Sequence, residues 1–354
     1  MKVGLLLNSI NRLSQYLENF RKILMVNEIP YRIIDPNSSS LLDDLKECTH
    51  LLFRHSQGDT DLKIYDTIFT IAHNTLGIKC MPGFESFWLY EDKIKEYYLL
   101  KCHGLPIVES HIFWNIEHAD AFLKETKFPI VAKLAKGASS SNVVIVNTRK
   151  EGETINKQVF TKGVKAGKLN NRSNLSTLRN RGLAKYGKAA IRSFLINAGI
   201  IRDKSYFPEW QIQKDSILYQ KYLPNNTFDQ RVTVIGKRAF GLRRFVRKND
   251  FRASGSHNED ADHRNIDTRC VEIAFSVSNK LNFSTMTYDF IYDENNKPFI
   301  NEFGYCFMGY DIEVSPGYWD EKLNWHIAKN WPQYYQLVDF LQLQDLKAAV
   351  QPGV

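Results

Sequence analysis

Two carboxylates thirteen residues apart, Asp289 and Glu302, carry the strongest chemical signal in this chain. They lie in YDFIYDENNKPFINEFG, residues 288–304, which the pattern predicts to be two strands, Tyr288–Tyr292 and Phe299–Phe303, joined by a polar turn over 293–298. Pairing Tyr292 with Phe299 in an antiparallel ladder sets Asp289 opposite Glu302, with Cβ atoms roughly 4.5–5.5 Å apart. Like charges at that distance repel, so the pairing needs a reason. A divalent cation shared by the two carboxylates supplies one, because Mg2+ takes one or two carboxylates together with phosphate oxygens. The plainer account places both acids in water on an edge hairpin, at little cost.

A second signal is a strand, Phe128–Lys133, followed by the small-residue loop Lys136-Gly137-Ala138-Ser139-Ser140-Ser141-Asn142 and a returning strand, Val143–Val146. Backbone N–H groups and hydroxyls of such a loop can approach a phosphate closely, and a lysine on the preceding strand would complete the site. A simple hairpin loop has the same composition. Arg243, Arg244, Arg247 and Arg252 form a third group, readable equally as a surface patch for a polyanion. His257 and His263 lack metal-ligand spacing and read as surface residues.

The elements that must position these groups follow from periodicity. Residues 1–85 alternate strand and helix patterns: strands at Val3–Leu7, Tyr31–Ile34 and Leu51–Phe53, helices at Leu13–Val26 and Ile64–Leu76. They predict a small open α/β sheet. One helix is expected from Ser86 to about His103, ending near Gly104. After the Gly/Ser loop, residues 152–210 read as a loosely packed insertion rich in Asn, Ser, Gly and Lys. Further on come a strand over Ile217–Leu223, a hairpin of Arg231–Ile235 and Arg238–Leu242, a helix over Val271–Lys280, the acidic hairpin, an aromatic stretch from Tyr305 to Trp325, and a last helix from about Pro332 to Ala349.

The chain has 354 residues, 43% hydrophobic and 24% charged, enough for two or three domains with a substantial core. No apolar run reaches 18 residues, and the leading MKVGLLL stops at Asn8 without a small-residue cleavage site, so a first strand is expected there. Five scattered cysteines without a CxxC argue for a reducing compartment and against a disulfide frame or zinc site. A cytoplasmic protein is expected. The net charge of +8 is local: ten basic residues and no acidic one fall between Lys157 and Arg192. Such a run repels itself and suits a polyanionic partner, an anionic membrane face among them, which would make the protein peripheral at the membrane. A solubilising loop is the bland alternative. Nucleic acid fits less well, because base-stacking aromatics are sparse there.

In order, these pieces resemble the ATP-grasp superfamily, in particular carboxylate–amine ligases of the ribosomal S6 glutamate ligase and D-alanine–D-alanine ligase type. The residues that carry the resemblance are Asp92-Lys93 with Gly104-Leu105-Pro106, the Phe128–Lys133 strand with its loop, Gln220-Lys221-Tyr222-Leu223 at a hinge, Asp229-Gln230-Arg231-Val232, Arg244, Phe251-Arg252, and Asp289 with Glu302. The stretch Ser315–His326 also resembles members met in surface-polysaccharide gene clusters. The resemblance implies an α/β (α+β) fold with an N-terminal open α/β domain (1–85), a central and C-terminal antiparallel-sheet lobe (86–128 and 225–330), a nucleotide-clamping lid lobe (129–224, carrying the insertion 152–210) and a C-terminal helix (331–354).

It implies ATP and Mg2+ as cofactors and an amide made through an acyl phosphate, from a small-molecule or glycan carboxylate, such as a uronic acid, and an amine. By the same resemblance Lys93 and Lys133 would neutralise phosphates and Ser139, Ser140 and Ser141 would close over them. Backbone groups of Lys221 and Leu223 would grip adenine. Arg231, Arg244 and Arg252 would hold the acceptor, and Asp289 and Glu302 the metal. Two other classes share the fold: a kinase that phosphorylates a hydroxyl, and a nucleotide-binding regulatory protein. The family usually ends its metal motif Glu-x-Asn, whereas this chain has Glu302-Phe303-Gly304. On a regular strand Asn301 would face away from Glu302 and could not replace the missing amide.

Overall fold

A computed structural model describes residues 1–137, 142–165, 169, 212–247, 251–253, 255–256 and 258–349. The chain divides into two compact units: one of Met1–Ser56, Thr60–Val108 and Leu223–Val354, the other of Gln57–Asp59 and Glu109–Tyr222.

The first unit opens with strands β1 (Val3–Leu6), β2 (Tyr31–Ile34), β3 (His50–Leu52) and β4 (Lys79–Met81), separated by helices α1 (Gln15–Val26), α2 (Leu41–Lys46) and α3 (Asp59–Thr70). All pairings are parallel, in the order β2-β1-β3-β4. The fully apolar run of β1 fits this, since a parallel strand covered on both faces has no polar side. One face packs on α1 and the other on α3, and the C-terminal helix, Pro332–Leu341, returns to the α1 side to bury Leu337, Val338 and Leu341. The last helix thus completes the core of the first sheet. It ends at Leu341, with Gln342 left-handed at φ 57°, well short of the expected Ala349.

The predicted single helix over 86–103 is broken. A short α4 (Phe84–Phe87) and α5 (Lys93–Cys102) are separated by a turn in which Glu91 takes φ +49°. Asp92 then caps α5, its carboxylate accepting the N–H groups of Ile94 and Lys95 at 3.2 Å each. A capping aspartate satisfies orphan donors at a helix start, which is why the break falls here.

The large sheet of the same unit is antiparallel through β11 (Phe228–Ile235), β12 (Arg238–Phe245), β14 (Thr285–Tyr292) and β15 (Pro298–Gly304), in the order β15-β14-β11-β12, with the short β13 (Glu259–Asp260) beside β12. One face buries Val232, Val234, Met286, Tyr288 and Phe290 against the helix Thr268–Lys280. Period-two alternation therefore turns 229, 231, 287 and 289 to the opposite face. The aromatic stretch after Tyr305 adds two short strands, Gly317–Trp319 and Trp325–Ile327, to the β12 edge of this sheet. Trp319 is buried in the core, its ring edge-on to Trp325 at 4.6 Å, and Trp325 stacks on His263 at 4.2 Å. These rings are packing groups.

The second unit is built on strands β5 (Ser110–Phe113), β6 (Ile130–Lys133), β7 (Val143–Val146) and β10 (Ile217–Lys221), in the order β5-β10-β6-β7, with helices α6 (Ile116–Glu125) and α7 (Arg149–Thr161) packed on it and a separate short pair, β8 (Val164–Lys165) with β9 (Ile212–Gln213). Its boundaries differ from the expected 129–224: residues from Glu109 belong to it because β5 is hydrogen-bonded along β10. The insertion also starts later than 152. Residues 152–161 complete α7, where Gly152 lets the helix pass so close to Leu123 that an added Cβ would sit 2.6 Å from that side chain. Asn156 is buried there, bonded to Asp120 and to the Tyr219 hydroxyl. Most of the basic run 157–192 lies outside the described residues. Among those described, no helix is long and apolar enough to cross a membrane.

Candidate active site

Asp289 and Glu302 do stand opposite one another on β14 and β15, but not by the regular ladder. The hairpin begins with Tyr292 opposite Pro298, one residue out of the predicted register, and runs through Phe290 opposite Ile300. A β-bulge then takes up one residue before Asp289 meets Glu302. Two residues of the bulged strand face one on its partner, which bends the strand and re-aims side chains.

Asp289 is the hub of a buried ion-pair network. Arg231, directly opposite on β11, binds it in a two-pronged pair, Nε to Oδ1 at 2.8 Å and Nη2 to Oδ2 at 2.9 Å. The third nitrogen of Arg231 donates to Asp311 at 2.7 Å. Arg244, on β12, pairs both prongs with Asp229 at 2.8 and 2.7 Å and also reaches Asp289 Oδ2 at 2.7 Å. Burial alone would favour the neutral acid at Asp289, but the two guanidiniums outweigh it and hold its pKa well below the usual carboxylate range. Arg244 is only 5% exposed and its fork is taken by Asp229 and Asp289, so in place of the expected acceptor contact it fixes the orientation of Asp289.

A second cluster surrounds Lys93, in the first turn of α5. A cation is misplaced at the positive end of a helix, so its partners must come from elsewhere. Lys93 is 5% exposed, and its ammonium lies 3.0 Å from Glu302 Oε1. Glu96, one turn on and 3% exposed, accepts the backbone N–H of Phe303 at 3.2 Å. Burial, reinforced by the charge of Glu302, raises Glu96 well above an ordinary glutamate against the pull of Lys93. The same two causes raise Glu91. Burial opposes the charge on Lys93, and Glu302, Glu96 and Glu91 more than offset it, keeping its pKa high.

Between these clusters lies a cavity of about 70 Å3, lined by Glu91, Glu96, Arg231, Asp289, Glu302 and Tyr305 among others. With water occupying about 30 Å3, that is room for an ion and a ligand atom or two. Four carboxylates and one guanidinium line it, with the Lys93 ammonium on Glu302 and Arg244 on Asp289 close behind. Among the described residues no three His, Cys, Asp or Glu side chains form a ready-made metal cage. The donors nevertheless fit Mg2+ bound mainly by phosphate. A carboxylate offers about four lone-pair sites, and Asp289 uses one on Oδ1 and two on Oδ2 for the guanidiniums, leaving Oδ1 able to act as a single-point ligand. Glu302, with Lys93 on one oxygen, is the second.

Arg252 lies beyond β12 with its guanidinium 5.9 Å from the centre of the Phe251 ring and does not line the cavity. Lys133, expected at a phosphate, ends β6 of the second unit and is 4% exposed. The Lys221 N–H, expected at an adenine, is spent on the Glu109 carbonyl at 2.9 Å, and the Leu223 carbonyl accepts from Asn226 at 3.2 Å. Ser139, Ser140 and Ser141 lie outside the described residues. Residues that the sequence did not flag are Glu91, Glu96, Asp311 and Arg54. Arg54 follows β3, stacks on Tyr16 at 4.0 Å and donates to the Phe307 carbonyl. The spacing of Lys93 and Glu96 on one helix face was the only available signal for the glutamate.

Gly304 is not required by space. A Cβ built there meets nothing within 4 Å. Gly304→Asn is therefore expected to change folding stability by no more than about 0.5 kcal/mol, read from urea unfolding; a larger loss would mean that the backbone there needs glycine.

No protein-family model matches the sequence, and no curated protein matches it. Solved structures do. The chain is similar to D-cycloserine synthetase DcsG, with a TM-score of 0.55 and 13% identity over 97% of this chain and 100% of that one. It is also similar to N5-carboxyaminoimidazole synthetase from Staphylococcus aureus complexed with ADP, with a TM-score of 0.55 and 12% identity over 99% and 78% of the two chains. A third likeness, to N5-carboxyaminoimidazole ribonucleotide synthetase from Thermotoga maritima, has a TM-score of 0.53 and 13% identity over 99% and 77%. The fold of this chain is the ATP-grasp fold. Its mixed architecture, a parallel N-terminal sheet with antiparallel sheets after it, accords with that.

Proposed function

We propose that this protein is an ATP-dependent ligase that joins a small-molecule carboxylate to an amine. The observation that carries the proposal is the placing of Asp289 opposite Glu302, with Lys93 against Glu302, in a fold shared with synthetases. The binding of ADP by the Staphylococcus aureus neighbour supports ATP as the co-substrate.

In the proposed reaction a carboxylate oxygen of the substrate attacks the γ-phosphorus of ATP. The bond from that phosphorus to the β–γ bridging oxygen breaks, and ADP leaves. The amine then adds to the acyl carbon of the acyl phosphate, gives up a proton and expels inorganic phosphate, leaving an amide. Phosphoryl transfer asks mainly for positioning and for neutralisation of charge. Mg2+ held by Asp289 and Glu302 would supply part of that neutralisation and orient the phosphate oxygens. Arg231 lines the cavity with its three guanidinium nitrogens on Asp289 and Asp311, so it, like Arg244, would serve by holding Asp289 toward the metal. Lys133, on the second unit, is proposed as a phosphate contact.

The glycan reading drew on the aromatic stretch, and the packing of Trp319 and Trp325 gives those rings a structural role instead. A small acceptor is the simpler proposal. The test is an ADP-release screen of carboxylates crossed with amines and amino acids, with product mass. ADP, free phosphate and a new amide in equal amounts are expected. A stable phosphate ester with no free phosphate would make the protein a kinase, and nucleotide binding without turnover across the screen would make it a regulatory protein.

A further inference from the structure

Two cavities are neighbours in the first unit. The larger is the acidic one between Asp289 and Glu302, and a smaller one of about 30 Å3 shares Tyr305 and Cys306 with it as lining. The smaller has the opposite chemistry. Among the described residues that line it, Arg54 alone is charged, and the other polar lining, Ser86, Ser284 and Gln336 among it, is neutral. Glu91 and Glu313 stand near Arg54 and Tyr16 but do not line this cavity.

Arg54 is held in place without being neutralised. Its guanidinium lies 4.0 Å from the centre of the Tyr16 ring and donates to the Phe307 carbonyl. Neither partner carries a charge, since burial raises the Tyr16 hydroxyl far above its ordinary range and keeps it protonated. Among the described residues Arg54 forms no ion pair, whereas Arg231 and Arg244 are both committed to aspartates. A guanidinium has five N–H donors, so capacity remains for a ligand.

Its place in the fold points the same way. The order β2-β1-β3-β4 sends the chain from β1 to α1 on one face of the sheet and from β3 to α3 on the other. Where connections diverge like this, a crevice opens outside the carboxyl ends of the strands, and open α/β sheets bind ligands there. Tyr16 comes from the start of α1 and Arg54 lies just beyond β3, one from each side of the switch point.

We infer that Arg54 holds an unreacting carboxylate of a substrate in the smaller cavity, beside the site of phosphoryl transfer. The inference rests on the ligase reading, which puts phosphoryl transfer at the larger cavity; Arg54 does not line that one. A carboxylate taken out of water needs a counter-charge, and an arginine fork matches its two oxygens. At about 30 Å3 the space suits one such head group, with the rest of the substrate reaching past Tyr305 and Cys306. The head group belongs either to the acceptor, making it a dicarboxylate, or to the amine donor, making that an amino acid.

Calorimetric titration of the full chain, with EDTA and without nucleotide, tests this apart from the metal and from turnover. The probes are succinate, L-alanine and L-alaninamide, which lacks the carboxylate. Succinate or L-alanine is expected to bind and L-alaninamide is not. Arg54→Met is expected to weaken that binding at least about tenfold, the loss of a hydrogen bond to a charged group. The acid bound more tightly assigns the carboxylate: succinate to the acceptor, L-alanine to the amine donor. No binding of either acid by the parent, or equal binding by Arg54→Met, would overturn the role of Arg54 and leave the ligase reading to the ADP-release screen. Arg54-dependent binding with no ADP release across that screen would instead remove the ligase, and the substrate role of Arg54 with it. Should Arg54→Met not fold, Arg54→Lys decides. It keeps a cation but not the fork, so the acid should bind severalfold more weakly, whereas a purely structural arginine would leave the affinity unchanged.

Discussion

Asp289→Asn is expected to destabilise the first unit by about 3–5 kcal/mol as well as to reduce Mg2+-dependent turnover by orders of magnitude. From the sequence alone this substitution reads as a clean ligand deletion on an intact fold. The structure makes it something else, because Asp289 is the shared partner of Arg231, half-buried, and Arg244, buried. Neutralising it leaves two guanidiniums with reduced compensation in a medium that solvates them poorly. Breaking one side of such a pair is costly even where the pair itself adds little. The pH dependence has a definite sign. Asp289 has a folded pKa depressed below its unfolded value of about 3.9. Its contribution is therefore fully present above about pH 4 and lost as pH falls below that. Urea unfolding at pH 7 and at pH 3 checks both points: the variant should be much weaker at pH 7 and lose less than the parent on acidification. Stability at pH 7 equal to the parent would remove the network from the account of the fold. Glu302→Gln, at the open side of the cluster, is the better probe of the metal, since turnover should fall with a smaller loss of stability.

Lys93→Met is expected to be nearly as damaging, in a way that depends oppositely on pH. Lys93 is the buried cation about which Glu302, Glu96 and Glu91 are gathered. Its removal leaves three carboxylates facing one another, an uncompensated buried charge that costs roughly 3–5 kcal/mol at pH 8. Glu96 and Glu91 already have folded pKa values raised by burial and by Glu302, and losing the lysine raises them further. A carboxyl raised in the folded state contributes stability that is present below its unfolded pKa of about 4.3 and is lost as pH climbs. The variant should thus be more stable near pH 5 than at pH 8, and adding Glu96→Gln should recover part of the loss at pH 8. A melting temperature within a few degrees of the parent at pH 8 would show that Lys93 serves the nucleotide alone, as its position in the Asp92-Lys93 pair suggests. The two outcomes call for opposite interpretations of any loss in ATP binding.

The order of elements was legible in the sequence because it rests on local periodicity. The apolar run at Val3 and the alternation around Val232 and Tyr288 each mark a strand whatever lies beyond it. Gly236 in a hairpin turn and Pro332 at a helix start act within a few residues and were readable on the same ground, whereas Asp92, inside the single helix expected over 86–103, caps a new helix instead. The opposition of Asp289 and Glu302 was legible too, although the predicted ladder started one residue out and reached the right pair only because the bulge restored the count.

Only the tertiary structure decided what these residues do to one another. That Arg231 and Arg244 meet at Asp289 depends on β11 lying between β12 and β14, a non-local pairing that no short window contains. Arginines at those positions look alike in sequence whether they await a ligand or are already neutralised. The burial of Glu96 against Phe303, more than two hundred residues away, is of the same kind. So is the bulge at Asn301. It is set by Ile300 and Phe303 competing for one core and by Pro106 and Val108 holding the strand edge, and alternation along β15 alone could not reveal it. Residue types and local order determined the kinds of chemistry available to this chain; long-range packing determined which charges are spent on the fold and which are left for a ligand.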